Sequence, residues 1–280
     1  MGEYLPAAVS SVLDQTWENL EIVVVDDGST DDTVQRMERF RDVPKVRYLR
    51  MANQGQPFAK NKGLREAQGK FIAFCDADDL WMPQKLNVQM KYFDDPEVGV
   101  VYSDVAYVGQ NGQSLSKRQP YKQHSGKITD HLIIKNFIPF GTAVFRRECI
   151  EKNGYFDEQL PMGIDWDLWL RYSIDWKFQH VPEVTYIYRI WPGQMSKDYR
   201  GRYINAFHIL KKFLDNYPHA LPERVKSKAW ADMYISRGLA VARSEQSFIE
   251  PLNDVVIGLR KDLLYIPGWK ALVKLILRRV

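Results

Sequence analysis

Residues 21–25 read Glu-Ile-Val-Val-Val, and the seven residues after them, Asp-Asp-Gly-Ser-Thr-Asp-Asp, are all turn formers or helix caps. A short apolar run rich in β-branched residues suits a strand buried on both faces. Gly28 permits the tight turn, and Ser29 to Asp32 can cap a helix carrying Val34, Met37 and Phe40. Ahead of the strand, Leu5, Ala8, Val9, Val12 and Leu13 recur at the spacing of one helix face over residues 4–15. The alternation continues with a strand at 46–49, a helix over 57–68, a strand at 70–75, a helix over 83–93 and a strand at 98–108 closed by a Gln-Asn-Gly-Gln turn. Strands alternating with helices imply βαβ units, hence an α/β fold with a mostly parallel sheet flanked by helices.

Beyond Lys127 the pattern predicts a helix over 128–136, a strand at 142–147, a helix opening at Asp165 and an apolar segment at 184–190. Residues 1–200 are expected to form the domain that carries the chemistry and residues 201–280 a helical extension. In the last stretch Trp269, Leu272, Val273, Ile276 and Val280 share one face, with Lys270, Lys274 and Arg278 on another. Peripheral contact of residues 268–280 with an anionic membrane and packing on the chain's own domain are both open readings.

Ligands of such sheets bind outside the carboxyl ends of the strands. Both acidic clusters, Asp26-Asp27 and Asp76-Asp78-Asp79, directly follow strands and so belong to one rim. In Phe-Ile-Ala-Phe-Cys-Asp-Ala-Asp-Asp-Leu-Trp, residues 71–81, three carboxylates within four positions repel one another and call for a positive partner. Mg²⁺ or Mn²⁺ fits, because it takes oxygen ligands from one or two carboxylates and from substrate phosphates. The other reading of Asp78 or Asp79 is a cap on the helix near Pro83. Asp26 or Asp27 can accept a hydrogen bond from a base or ribose, and Asp27 can equally bond its own turn. Asp165, at a helix start beside Trp166 and Trp169, is either an N-cap or a general base.

The totals exclude other classes. A formal charge of +4 with no long Lys/Arg run argues against nucleic acid. Two cysteines without CxxC spacing support neither a disulfide scaffold nor zinc. No stretch reads as a membrane span or secretion signal, so the expected location is cytoplasmic, with the inner membrane face open as a peripheral site.

The stretches at 4–33, 53–86, 146–160, 164–171 and 188–196 together resemble the family 2 inverting glycosyltransferases with the GT-A (Rossmann-like) fold. The resemblance implies a nucleotide diphosphate sugar donor, UDP-linked in the expected form, and transfer of one sugar to a saccharide or lipid-linked acceptor. It assigns Asp26 to the base, Asp76 to the ribose and Asp78 to the metal bridging the diphosphate. Asp79 stands behind them, Lys60 approaches the nucleotide, Arg189 is a candidate for the diphosphate and Asp165 takes the place of the catalytic base. The family's processive synthases carry transmembrane helices and a Gln-x-x-Arg-Trp motif that are not seen here, which favours single-sugar transfer. Leu80 stands where a phosphatase of the haloacid dehalogenase type would have Thr or Val. Neither a nucleotidyltransferase phosphate loop nor GxGxxG is present. The rival is a degenerate sugar-nucleotide or partner-binding protein.

Three departures stand out. Ile164 replaces the usual Glu before the base, and Trp191 stands where some relatives have His. Family members also open with an apolar strand, whereas Met1-Gly2 leads straight into the first helix. Either the start is truncated or the strand is absent; if it is absent, the strands near 21–25 and 70–75 are expected to close a gap or leave backbone groups unpaired, which predicts weakened nucleotide affinity and marginal folding.

Overall fold

The structure, a computed structural model, describes residues 1–117, 121–194, 198–245 and 248–277. Met195 and Ser196 of the 188–196 motif, and Arg278 to Val280, lie outside the described residues. In chain order the elements are α1 (Leu5–Leu13), β1 (Ile22–Asp26), α2 (Thr33–Met37), β2 (Val46–Arg50), α3 (Gln56–Glu66), β3 (Phe71–Ala73), β4 (Leu80–Trp81) and α4 (Lys85–Met90). There follow β5 (Val98–Gly109), β6 (Ser114–Leu115), α5 (Thr129–Leu132), β7 (Val144–Arg146), α6 (Arg147–Asn153), α7 (Ile164–Asp175) and β8 (Lys177–Ile190). Four helices close the chain: α8 (Tyr199–Asn216), α9 (Glu223–Glu245), α10 (Ile249–Lys261) and α11 (Ile266–Ile276).

Met1–Ile128 and Phe137–Gln194 form one compact unit, and Thr129–Asn136 with the described residues from Asp198 onward form a second. In the first unit β1 and β2 pair in parallel, from Ile22 opposite Val46 to Asp26 opposite Arg50. The other sheet has the order β3-β7-β5-β8-β4, with β6 on β5. Its longest ladder, β5 with β8, is parallel from Val98 opposite Lys177 to Gly109 opposite Ile190. The expectation of a mostly parallel sheet holds for these two longest ladders. The short ladders of β3 with β7, β7 with β5, β4 with β8 and β5 with β6 are antiparallel, so the second sheet is mixed. Apolar periodicity identifies a strand without fixing its direction, and β4, two residues long, has no periodicity to read.

Among the described residues β1 pairs only with β2, and β3 only with β7. The strands on either side of the expected gap thus stay in separate sheets. Side chains tie them together at their amino ends. Glu21 Oε1 accepts from the Gly69 N–H at 3.1 Å, Arg47 reaches Glu21 at 3.1 Å, and Ile22, Phe71 and Ala73 pack against the same core cluster.

The core of this unit is fully buried at Val100, Val101, Tyr102, Phe145, Leu168, Trp169, Leu170 and Phe178. Helix α7 puts Trp166, Trp169 and Leu170 inside, as its stripe predicts. Helix α5 is one turn, shorter than the expected 128–136, and Ile133 and Ile134 form a turn after it. The strand expected at 70–75 stops at Ala73, and Phe74 leaves it to stack on Phe140 at 4.9 Å. In the second unit α9, α10 and α11 share a core of Ala231, Ile235, Val255, Leu259, Tyr265, Ala271 and Leu275.

Candidate active site

Asp26 ends β1 and is 4% exposed. Its Oδ1 accepts from the Ser29 backbone N–H at 2.8 Å, the Tyr48 hydroxyl donates to Oδ2, and Arg50 Nε stands 3.6 Å from Oδ2. Tyr48 lies two residues before Arg50, the register partner of Asp26, so alternation puts both side chains on one face of the sheet. Burial pushes the Asp26 carboxyl up, but the bonds from Ser29 and Tyr48 and the Arg50 charge outweigh it and hold the pKa below the usual range. Burial, and then Asp26, raise the Tyr48 hydroxyl in return.

Asp27 is used differently. Its Oδ1 accepts from the Gln54 N–H and its Oδ2 from the Gly55 N–H, each at 2.8 Å, which anchors the loop that opens α3. Gly28 has φ of 74°, and a Cβ there would stand 2.8 Å from the Asn53 nitrogen, so the turn takes no larger residue without moving that loop.

The second acidic cluster follows β3. Helix α3 projects Lys60 onto Asp76 Oδ1 at 2.8 Å, with its ammonium 4.9 Å from the Phe74 ring centroid and 4.3 Å from that of Phe140. Lys60 thus sets one positive charge beside the carboxylate run. Asp79 is 2% exposed and accepts from the Tyr186 hydroxyl and from the Arg189 backbone N–H, both at 2.8 Å. The Tyr186 hydroxyl also accepts from the Asp76 backbone N–H at 3.3 Å. Burial, reinforced by Asp78 and Asp76 against the Arg189 N–H, pushes the Asp79 carboxyl up to about 8. Asp78 is half-buried, and its Oδ2 accepts from Trp191 Nε1 at 2.8 Å. Arg189 Nε donates to the Asp78 carbonyl at 2.9 Å, and its guanidinium lies 4.8 Å from the Tyr4 ring centroid.

One chain of contacts therefore joins Lys60, Asp76, Tyr186, Asp79, Arg189, Asp78 and Trp191 at the carboxyl end of β3. Asp26 and Asp27 hold the neighbouring carboxyl end of β1. Asp165 is half-buried in the first turn of α7, after Gly163 in the left-handed conformation at φ of 73°. Its helix reaches the cluster indirectly: Trp169 packs 5.9 Å from Phe140, the ring that also faces Lys60. Asp167, on the adjacent turn position, is buried and paired with Arg171 at 2.9 Å.

Sequence reasoning did not find Tyr48 and Tyr186, nor Trp191 as a partner of Asp78. The one signal for Tyr186 is a hydroxyl inside an apolar strand, which must find an acceptor once buried.

The donor chemistry fits Mg²⁺ or Mn²⁺. Among the described residues one carboxylate oxygen of Asp76 and one of Asp78 take no hydrogen bond, and no cluster of three or more His, Cys, Asp or Glu stands ready as a complete cage. A hard cation that keeps waters and phosphate oxygens as its remaining ligands needs no more than this from the protein.

A mixed sheet and a separate parallel pair, flanked by helices and with acidic turns after β3 and β1, make up a GT-A fold. The sequence profile of glycosyl transferase family 2 matches residues 2–154, and the chain belongs to that family. An uncharacterized glycosyltransferase of a Nostoc species is 33% identical over 177 residues, covering 60% of this chain and 53% of the relative. The chondroitin synthase of Escherichia coli is 28% identical over 188 residues, 66% of this chain and 27% of that protein. The chain spans between 24% and 69% of the length of the first curated relatives it matches. Among solved structures, S. aureus TarS 1-349 superposes with a TM-score of 0.67 at 20% identity, covering 99% of this chain and 86% of that one. The mannosyltransferase PcManGT of Pyrobaculum calidifontis, solved with GDP-Man and Mn²⁺, gives 0.59 at 18% identity, covering 100% and 84%. Among the described residues no helix is long and apolar enough to cross a membrane.

Proposed function

We propose that this chain transfers a single sugar from a nucleotide diphosphate sugar to an acceptor hydroxyl, with metal assistance and inversion. The observation that carries the reading is the contact chain from Lys60 to Trp191, in which Asp76 and Asp78 each keep an oxygen free of hydrogen bonds beside two cations, Lys60 and Arg189. Family membership supports it, and so do two neighbours of the same fold, TarS 1-349 solved with UDP-GlcNAc and PcManGT with GDP-Man and Mn²⁺.

In this reading Asp26 meets the base and Asp76 the ribose, while Asp27 keeps the loop between them in place. Asp78, with Asp76, would hold Mg²⁺ or Mn²⁺, which neutralises charge on a departing diphosphate. Lys60 and Arg189 bind the nucleotide and its phosphates. Asp165 takes the proton of the acceptor hydroxyl; that oxygen bonds to the anomeric carbon as the bond to the diphosphate oxygen breaks, and the nucleoside diphosphate leaves. The acceptor is a saccharide or a lipid-linked saccharide.

Release of UDP from a panel of UDP-sugars in Mn²⁺ tests the proposal. Asp165→Asn is expected to lower turnover by about 10² or more while leaving UDP affinity unchanged. Nucleotide binding without release in the unsubstituted protein would support the degenerate binding protein instead.

A further inference from the structure

Helix α11 has two unlike faces. Gly268, Ala271 and Leu275 pack inward, and a Cβ at Gly268 would stand 2.7 Å from Leu259 Cδ2, so the small residue permits close packing. Outward, Ile266, Trp269, Val273 and Ile276 are 64%, 48%, 54% and 60% exposed. Their spacing makes one stripe along the helix. The turn before α11 adds Leu263 and Leu264 at 64% and 81%, and Trp269 Nε1 donates to the Leu263 carbonyl at 2.8 Å, fixing the turn to the helix. Six large apolar side chains held together in water exceed what a solvated surface normally carries.

The rim of this patch is basic. Arg260, Lys261, Lys270 and Lys274 are exposed around it, whereas Asp262 is the one carboxylate within 260–277, and it accepts from the Leu264 N–H at 3.0 Å. We propose that the α10–α11 turn and the outer stripe of α11 dock the protein on an anionic lipid surface, the apolar side chains entering the headgroup boundary and the four cations meeting the lipid charge. A second copy is the poorer occupant, because a twofold pairing would set the same basic rim against itself. The inference is independent of the donor site and survives if the proposed transfer fails.

Cosedimentation of the whole chain with vesicles of phosphatidylcholine alone, or of an equimolar mixture with phosphatidylglycerol, tests it without any substrate. The expected result is binding to the anionic vesicles, a blue shift of tryptophan emission and weakening by salt. The double variant Leu264→Glu/Trp269→Glu replaces only exposed side chains and is expected to lower the partition coefficient about tenfold or more with an unchanged circular dichroism spectrum. Lys270→Glu/Lys274→Glu is expected to remove the preference for anionic lipid. Absence of binding to either vesicle overturns the proposal, as does equal binding to both that the variants leave unchanged. So does a dimer that Leu264→Glu/Trp269→Glu converts to monomer.

Discussion

Trp191 Nε1 holds one oxygen of Asp78, a carboxylate proposed to ligate the metal. A charge-assisted bond that fixes a metal-ligating carboxylate is typically worth about tenfold or more in metal affinity. Trp191→Phe is therefore expected to raise the Mn²⁺ concentration for half-saturation about tenfold or more, read from the loss of the free-Mn²⁺ resonance on titration. Lys85 offers a second test at this scale. It is fully buried, donates to Gln89 Oε1 at 2.7 Å and to the Thr142 carbonyl at 2.6 Å, and among the described residues no carboxylate is paired with it. Burial pulls its pKa down to about 7, well below the unfolded value. Between pH 7 and the unfolded pKa the unfolded chain binds the extra proton at Lys85, so the contribution of Lys85 to stability rises with pH across that window and is lowest below it. The slope is at most about 1.4 kcal/mol per pH unit. Melting curves of Lys85→Met at pH 7 and 9 should lose the rise in Tm that the unsubstituted protein has over the same interval.

At the scale of elements the open edge of β1 makes the sharpest forecast. The Ile22 N–H donates to the Lys45 carbonyl and the Asp26 carbonyl accepts from the Met51 N–H, so Ile22, Val24 and Asp26 turn their backbone groups to β2. Val23 and Val25 consequently present theirs to the unpaired edge. Their amide protons should exchange with D₂O faster than that of Val24, and protection equal to Val24 would contradict the open edge. Helix α7 is the opposite case: Trp169 is fully buried among Phe140, Phe145, Tyr172 and Phe178. Trp169→Ala should cost about 3–5 kcal/mol in urea unfolding. Much of this was legible in the sequence. The run at 21–25, the helix with Leu5, Val9 and Val12, and the stripe of Trp166 and Trp169 all sit where periodicity puts them, because burial of one face dictates their pattern. The antiparallel entry of β7 and the two-residue β4 were not legible, since strand direction is decided by partners far along the chain. In the site, the acidic turns follow from strand ends and Lys60 from the family resemblance, while Tyr48 and Tyr186 follow only from a register that no local pattern encodes.

On the scale of the molecule, the first unit carries every residue proposed for the donor and the reaction, and the second carries the basic apolar patch. The central proposal is that the carboxyl end of β3 binds a nucleotide diphosphate with an affinity that depends on a divalent cation held by Asp78. Calorimetric titration of the whole chain with UDP, in Mn²⁺ and in EDTA, beside Asp78→Asn under both conditions, measures this directly. The account predicts UDP binding that Mn²⁺ strengthens about tenfold or more in the unsubstituted protein, and no effect of Mn²⁺ once Asp78 is replaced. Equal UDP affinity in all four titrations would contradict it.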